Sequence, residues 1–229
     1  MNDRNFNLQS QAYKLILGKI LRNEYTPGQK ISQKNIEKDL LLGRTPVREA
    51  LVRLQRDGLV YTVPQSGTFV TKIDLDAVKS ARFVRESLER RIVVEASKVQ
   101  DNLLLNQAHD AITLQEKYTK NKEYNKFFDA DEDFHKTFYL LTDNAKVWTW
   151  LQTINIQLNR FRWLRLKVED LPWNLLIEQH KEILDAIEKH DTSRAEIAAS
   201  NHLDLVLLEE KEVITAYRDY FINIPKSYN

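Results

Sequence analysis

Side chains with the chemistry of metal ligands recur at helical spacing in the second half of the sequence. Asp131 and His135 are four residues apart in the segment DADEDFHKTFYLL, so on one helix face their Cβ atoms lie about 6 Å apart. His180 and His202 each lie 11 residues from Asp191, so they stand level in an antiparallel helical pair that turns there. Three imidazoles and one carboxylate suit a divalent Zn, Ni, Mn or Fe ion with open positions for water or a ligand oxygen. The spacing leaves open the alternative that these histidines are hydrogen-bonded core residues.

A second group of side chains, near the N-terminal end, suits contact with nucleic acid. Arg44 and Arg48 lie at the leading end of a predicted helix and face outward. The amides and dipole of a helix N-terminus favour phosphate, and an arginine can fork onto a guanine edge in the major groove. Arg53 and Arg56 lie further along the same helix, where they either contact DNA or are solvated surface residues.

Two short helices are predicted around these arginines. Thr26-Pro27-Gly28 is a turn, so a preceding helix ends by about Tyr25. Ser32 caps a short helix, whose apolar positions are Ile36, Leu40 and Leu41. After a break near Leu42-Gly43, Thr45-Pro46 opens the next helix. Its buried stripe consists of Val47, Ala50, Leu51 and Leu54.

A hairpin is predicted to follow these helices. Gly58 ends the second helix, residues 59–63 are rich in β-formers, residues 64–67 form a turn, and residues 68–73 form a second strand. The whole arrangement is a winged helix-turn-helix, in which the second helix enters the major groove and the hairpin contacts the DNA beside it.

This segment resembles the DNA-binding domain of the GntR family of bacterial transcription regulators. The matching motifs are Pro27-Gly28, the core RTPVREAL from Arg44 to Leu51, Gly58-Leu59-Val60, and the G-x-x-V wing from Gly67 to Val70. Gly43 departs from the family, which usually has serine or threonine at that position. The resemblance implies that the operator contacts are Lys34, Arg44, Thr45, Arg48, Ser66 and Gly67.

The charge distribution agrees with one DNA-binding end. Residues 1–73 carry 12 basic and 6 acidic residues, a net charge of +6, whereas residues 74–229 carry 22 basic and 27 acidic residues, a net charge of −5. Phosphate binding requires a positive field, so only the first part suits DNA.

The composition also bounds the environment of the protein. The absence of cysteine excludes disulfides and thiolate metal sites. No apolar run approaches the roughly 18–20 residues of a membrane span, and the first residues lack the apolar core of a signal peptide. We therefore expect a cytoplasmic protein that does not enter a membrane.

The sequence from residue 74 onward predicts an all-helical second domain. All glycines fall within the first 67 residues, and the only prolines in the second part are Pro172 and Pro225. The predicted fold is mainly α, with a winged helix-turn-helix of three helices and a hairpin over residues 1–73, and an antiparallel bundle of about six helices over residues 74–229. We predict those helices near residues 75–99, 102–119, 122–142, 145–167, 172–189 and 192–220.

The second domain resembles the FCD ligand-binding domain of FadR-type GntR regulators. The similarity includes the D-x-x-F-H motif from Asp131 to His135, then Asn144, Glu178-Gln179-His180 and His202. It implies that Asp131, His135, His180 and His202 bind a divalent metal whose open positions face a cavity for a small carboxylate effector. Arg85 matches an arginine near that cavity, although an ordinary pair with Glu89 is an equal alternative. His109 and His190 match no ligand position, and the four tryptophans are expected to pack the bundle or a dimer interface.

The function predicted from these features is a DNA-binding transcriptional regulator, a repressor that binds a pseudo-palindromic operator as a homodimer and responds to a small carboxylate. Two-fold duplication supplies affinity that a single winged helix lacks. An alternative is a metal-dependent hydrolase fused to a DNA-targeting module, because a metal-bound water can supply hydroxide. Against it, Glu132 and Asp133 point to other helix faces, so no general base is evident. A third possibility is a metal-free regulator controlled by partner proteins.

Overall fold

The computed structural model describes residues 2–228, and the side chains of residues 8–228, as two compact units. The first unit consists of residues 2–75 together with residues 217–228, and the second runs from Asp76 to Ala216. Within the described part of the chain, no helix is both long enough and apolar enough to cross a membrane.

The first unit contains three helices, α1 (Asn2–Leu21), α2 (Gln33–Leu40) and α3 (Arg44–Arg56). Ser32 caps α2 as predicted, because its hydroxyl accepts a hydrogen bond from the Asn35 amide at 3.1 Å. Leu41 ends α2 in the left-handed conformation, with φ of 53°, and is 92% exposed. The prediction that Leu41 continues the apolar side of α2 is therefore wrong, because its backbone has already left the helix.

A small antiparallel sheet completes the winged helix-turn-helix. Strands β1 (Lys30–Ile31), β2 (Val60–Val63) and β3 (Gly67–Val70) are ordered β1-β3-β2, with Thr62 opposite Thr68. The hairpin wing was predicted, but β1 was not, and β3 ends at Val70 rather than at Ile73. Gly67 has a φ of +133°, a conformation that residues with a side chain rarely adopt, so the wing requires glycine at this position.

The C-terminal segment belongs to the first unit. Strand β4 (Ile73–Asp74) pairs in parallel with β5 (Phe221–Ile222), so that Ile73 lies opposite Phe221, and both side chains are buried. Asn223 adds a hydrogen bond of 2.9 Å from Nδ2 to Oδ1 of Asp74. The predicted division into residues 1–73 and 74–229 therefore differs from the structure at its end, because burial of Phe221 against Ile73 fixes the last segment to the first unit.

The second unit is a bundle of helices, as predicted, but with eight helices among its described residues rather than six. These are α4 (Leu75–Ala96), α5 (Asn102–Lys120), α6 (Tyr124–Leu141), α7 (Ala145–Ile154), α8 (Ile156–Arg165), α9 (Trp173–Glu188), α10 (Thr192–Leu208) and α11 (Glu210–Ala216). Two predicted helices are interrupted, at Asn155 and at Glu209. Asparagine favours helix ends, and Glu209 is held by a buried bidentate ion pair with Arg165, at 2.7 and 2.8 Å.

The core of the second unit lies between α5, α6, α9 and α10. Its side chains are large on α6, including Phe127, Phe134 and Phe138, and small on α10, including Ala195 and Ala199. Small residues allow α10 to approach its neighbours closely. Asp131 and His135 share the buried face of α6 with these phenylalanines, so the polar site lies inside the bundle.

Candidate DNA-binding surface and metal centre

The leading end of α3 presents charge to solvent. Arg44, Thr45 and Arg48 are all exposed, and Arg48 forms a surface ion pair with the adjacent Glu49 at 2.8 Å. Gly43 occupies the N-cap without a side-chain hydrogen bond, so the first amides of this 13-residue helix are open to an anion.

The other predicted DNA contacts surround α3 in sequence and lie on the surface. Lys34 on α2 is exposed, and Ser66 is exposed at the tip of the wing, where its amide donates to the Val63 carbonyl at 3.0 Å. Gly67 is half-buried. These positions are accessible, and their contact with DNA stays a prediction.

Arg53 has a structural partner on α1. Its guanidinium carbon lies 3.8 Å from the centre of the Tyr13 ring, and the Tyr13 hydroxyl donates to Asp57 at 2.6 Å. Burial, followed by the hydrogen bond to Asp57, raises the pKa of Tyr13 to about 12. Arg53 therefore helps to hold α1 against α3. Arg56 is exposed, and both alternatives, contact with DNA or a solvated surface residue, remain for it.

Three histidines converge inside the second unit. His135, His180 and His202 lie on α6, α9 and α10 and are buried, and one ligand nitrogen of each lies within 4.8 Å of the other two. The Nε2 atoms of His180 and His202 are 3.2 Å apart, so the contact predicted from their level positions on adjacent helices is confirmed. This separation is close to the distance of about 3.4 Å between two nitrogens bound to one tetrahedral zinc with Zn–N bonds of about 2.0–2.1 Å.

Each histidine is held by a hydrogen bond from its outer nitrogen. An acceptor oxygen lies opposite each Nδ1 atom: Glu89 Oε2 for His135 at 2.9 Å, Gln115 Oε1 for His180 at 2.8 Å, and Gln179 Oε1 for His202 at 3.0 Å. The amide nitrogen of Gln115 donates to the Ala130 carbonyl at 3.3 Å, which leaves Oε1 as the acceptor. Because each Nδ1 donates, the Nε2 lone pairs point inward, as metal-binding imidazoles require.

The electrostatics keep these imidazoles neutral. Burial lowers the pKa of His180 to about 4 and, as the largest cause, lowers the pKa of His135 and of His202 well below the usual value. The Arg85 charge adds to this effect at His135. Neutral imidazole is the ligand form, and Nε2 of His135 has no hydrogen-bond partner among the described residues. The residues present therefore fit a divalent metal.

Asp131 lies beside the three histidines but is also bound by an arginine. Its Oδ1 is 3.7 Å from Nε2 of His180, and its Oδ2 accepts from Nη2 of Arg162. Burial alone would raise the pKa of Asp131, but Arg162 and the neighbouring positive groups outweigh it and lower that pKa to about 2. Asp131 is thus a carboxylate whose Oδ1 lies near His180 and whose Oδ2, bound by Arg162, also lies 3.9 Å from Nε2 of His135.

The structure shows the pair of Arg85 with Glu89 that was one of the two alternatives, and the effector role of Arg85 stays a prediction. It is fully buried, and its Nε donates to Glu89 Oε1 at 2.5 Å. Its Nη1 is 3.7 Å from Glu132, beyond hydrogen-bond distance, and neither Nη1 nor Nη2 has a hydrogen-bond partner among the described residues. Since Glu89 also holds His135, it links Arg85 to the histidine cluster.

A cavity of about 40 Å³ adjoins this cluster. Arg85, Asp131 and His202 line it together with Arg162, and most of the remaining wall is apolar, from α6, α8 and α10. The site therefore combines inward-facing imidazoles, a buried guanidinium and a small adjoining cavity.

Comparison with known proteins identifies both parts of the chain. Residues 8–70 match the bacterial regulatory proteins of the gntR family, and residues 81–205 match the FCD domain. The chain is a GntR-family regulator. As in its relatives, the second unit is an FCD domain and the protein is a transcriptional regulator rather than an enzyme, so the hydrolase alternative is not supported.

Similar proteins cover nearly the whole chain. The HTH-type transcriptional repressor RspR of Escherichia coli K12 is 25% identical over 93% of both chains. An uncharacterised HTH-type regulator from an unstable DNA locus of Streptomyces ambofaciens is 32% identical over 82% of this chain and 78% of its own. The fold resembles that of E. coli McbR/YncC, with a TM-score of 0.77 at 16% identity over 92% of this chain and 98% of that one.

Other predictions about the FCD domain have mixed outcomes. His109 and His190 lie away from the cluster, where they contact Glu188 and the Ser97 carbonyl. Trp148 and Trp163 are buried, but Trp150 is exposed, so it does not pack this bundle. Glu132 was expected to point away from the site, yet it pairs with Arg162 at 2.6 Å because Arg162 bridges the two adjacent carboxylates. Glu89, Gln115, Gln179 and Arg162 were missed, since each lies on a helix other than that of its partner.

Proposed function

We propose that this GntR-family regulator is a repressor whose operator affinity is controlled by a small carboxylate bound beside a divalent metal in the FCD domain. The observation that carries the proposal is the convergence of three neutral, buried imidazoles beside a buried arginine whose terminal nitrogens have no hydrogen-bond partner among the described residues. The name of the RspR relative is consistent with repression.

In this proposal, the first unit reads the operator through α3. Arg44 and Arg48 contact base edges in the major groove, Thr45 and the open amides of α3 bind phosphate, and Lys34 adds a backbone contact. Ser66 and Gly67 bring the tip of the wing to the adjacent backbone. The exposure of these side chains and the uncapped N-terminus of α3 support these assignments.

The metal ligands in this proposal are His135, His180, His202 and Asp131 through Oδ1. The nitrogen-rich set suits Zn, Ni or Fe, and the carboxylate also allows Mn. A bound ion supplies a Lewis acid that attracts a carboxylate oxygen. Arg85 places a guanidinium at the same cavity, and this planar group can donate two parallel hydrogen bonds to a carboxylate.

A homodimer on a pseudo-palindromic operator completes the proposal, since a two-fold axis duplicates the base contacts. Arg90 on α4 binds Glu196 on α10 at 2.7 Å, so these helices are neighbours. Large apolar side chains lie on their outer faces: Phe83 is 66%, Ile197 62% and Leu208 74% exposed. Exposed apolar residues of this size suit a second copy of the chain better than water.

Gel shifts on a selected operator test this function. Wild-type protein should lose roughly 5- to 150-fold in DNA affinity when the effector is added with metal present. The double variant His135→Ala, His180→Ala should contain less than one divalent ion per chain and should not respond, whereas His109→Ala serves as the matched surface control. A double variant that keeps its full metal content and its response would refute the site.

A further inference from the structure

We infer that Arg162 is a positioning residue that selects the metal of the FCD domain. By holding one oxygen of Asp131, it favours an ion that prefers imidazole, such as zinc, over manganese. This inference rests on the proposed function and concerns the ligand set of the same site. It follows from where the two oxygens of Asp131 lie and from how firmly the arginine itself is held.

Both oxygens of Asp131 lie near the histidine cluster. Oδ1 is 3.7 Å from Nε2 of His180, and Oδ2 is 3.9 Å from Nε2 of His135. The whole residue is buried on α6, so little solvent reaches either oxygen. The distances to the imidazoles therefore do not decide whether Asp131 would offer one oxygen or both to an ion.

Arg162 makes these two oxygens unequal. Its Nη2 donates a charge-assisted hydrogen bond to Oδ2 of Asp131. An oxygen that accepts from a guanidinium has a lone pair engaged and part of its charge compensated, so it is a weaker metal ligand than Oδ1. Asp131 is thereby left with one strong ligand oxygen.

The guanidinium of Arg162 is fixed by further contacts. Its Nη1 donates to Oε1 of Glu132 at 2.6 Å and to Oδ1 of Asn159 at 3.0 Å. Glu132 is held in turn by Nε2 of Gln152 on α7, at 3.0 Å from Oε2. The guanidinium carbon also lies 5.0 Å from the centre of the Phe128 ring. Moving the guanidinium away would break these contacts, so an entering ion meets the carboxylate with the arginine in place.

Three imidazoles with one carboxylate oxygen suit zinc better than manganese. Imidazole suits Zn, Cu, Fe and Ni, whereas Mn²⁺ prefers carboxylate and water oxygens. A second oxygen from Asp131 would therefore improve the site more for Mn²⁺ than for Zn²⁺, and Arg162 withholds it. The positive charge of the arginine opposes both divalent ions equally, so the selection comes from the oxygen that it holds.

Chelator competition on the full-length protein measures the ratio of Zn²⁺ affinity to Mn²⁺ affinity. In Arg162→Gln this ratio should fall about 10- to 100-fold, the range of effects for replacing an outer-shell partner of a metal ligand. A merely structural defect would weaken the binding of both ions by the same factor and leave the ratio unchanged.

Two further variants isolate the contact with Asp131. Arg162→Gln also leaves Glu132 without this partner, and the released carboxylate could itself attract Mn²⁺. The double variant Arg162→Gln, Glu132→Gln removes one charge of each sign. It should show the same fall in the ratio while helical circular dichroism stays at the wild-type level. Glu132→Gln alone keeps the pair of Arg162 with Asp131 and should keep the wild-type ratio.

The outcomes separate this inference from the function on which it rests. A wild-type ratio in the double variant would overturn the role of Arg162 and leave the metal site standing. A fall in Arg162→Gln that the double variant does not show would assign the effect to Glu132 and overturn the inference as well. If the wild-type protein binds no more Zn²⁺ or Mn²⁺ than the His135→Ala, His180→Ala variant, the proposed metal site and the inference fail together.

Discussion

The acceptors behind the histidines determine the chemistry of the site as much as the histidines do. Without Gln115, Gln179 and Glu89, each imidazole could rotate or adopt the other tautomer, and the Nε2 lone pairs would no longer converge. Replacing one of these acceptors, which do not contact the proposed metal themselves, should therefore weaken metal binding.

Gln115→Leu should weaken zinc binding about 10- to 100-fold, because His180 loses the acceptor that orients it. Competition with a chromophoric chelator measures this affinity. Gln107→Leu changes an exposed glutamine of the same helix and should bind zinc like the wild-type protein. Equal affinity in Gln115→Leu and Gln107→Leu would show that Gln115 does not orient His180 for metal binding.

Two arginines of α3 should respond differently to removal. Arg48→Ala should lower specific operator affinity roughly 5- to 150-fold, the contribution of a bidentate base contact of about 1–3 kcal/mol, and leave the free energy of unfolding unchanged. Arg53→Ala should instead lower the free energy of unfolding, because Arg53 stacks on Tyr13. Gel shifts and urea titrations distinguish the two, and the opposite pattern would reject both assignments.

At the residue level, side chains related by spacing along a helix could be predicted from the sequence, whereas contacts that depend on the packing of one helix against another could not. The i, i+4 relation of Asp131 and His135, and the level positions of His180 and His202, both follow from helix geometry and the turn at Asp191. The position of Arg162 beside Asp131 depends on how α8 is rotated against α6, which no local pattern encodes. The metal and DNA roles stay predictions.

The short parallel pair of β4 and β5 is the element with the clearest effect on the first unit. Phe221→Ala should lower the free energy of unfolding of that unit by about 3–5 kcal/mol, because Phe221 is 3% exposed opposite Ile73. Urea unfolding followed by circular dichroism measures the loss. Ile222→Ala, at a neighbouring position that is 44% exposed, should cost far less, and a similar loss in both variants would contradict the pairing.

The contact between α1 and α3 should depend on pH. The pKa of Tyr13 is raised to about 12 in the folded protein, above the unfolded value of about 10, so its contribution is complete below pH 10 and declines as pH rises towards 12. The difference in free energy of unfolding between the wild-type protein and Tyr13→Phe should shrink over that range. A difference that is constant from pH 8 to pH 12 would show that the hydroxyl is not held by Asp57.

At the element level, long periodic segments were predictable and very short strands were not. Each helix of the bundle lies within one residue of a predicted segment, because repeated apolar spacing and the lack of glycine favour helices. β1 and β5 have two residues each, too few to show an alternating pattern. The break at Glu209 was missed because the buried ion pair of Arg165 with Glu209 joins distant parts of the sequence.

For the whole molecule, oligomeric state is the property that the proposed operator recognition depends on. Phe83→Asp combined with Ile197→Glu should shift the protein from dimer to monomer in light scattering, because charges replace the exposed apolar groups of α4 and α10. Operator affinity should fall with the loss of the dimer. Leu103→Glu, at a position on α5 that is 71% exposed, should remain dimeric. Monomer formation by the Leu103 variant, or none by the double variant, would place the interface elsewhere.

Because β5 follows the FCD domain in sequence but belongs to the first unit, the FCD domain is inserted between two parts of that unit rather than appended after it. Recombination that exchanges FCD domains among such regulators must therefore preserve two junctions, one on each side of residues 76–216. A chimera joined only at the first junction would carry a foreign C-terminal segment opposite Ile73, so the pairing of these two short strands would decide which domain exchanges yield a stable regulator.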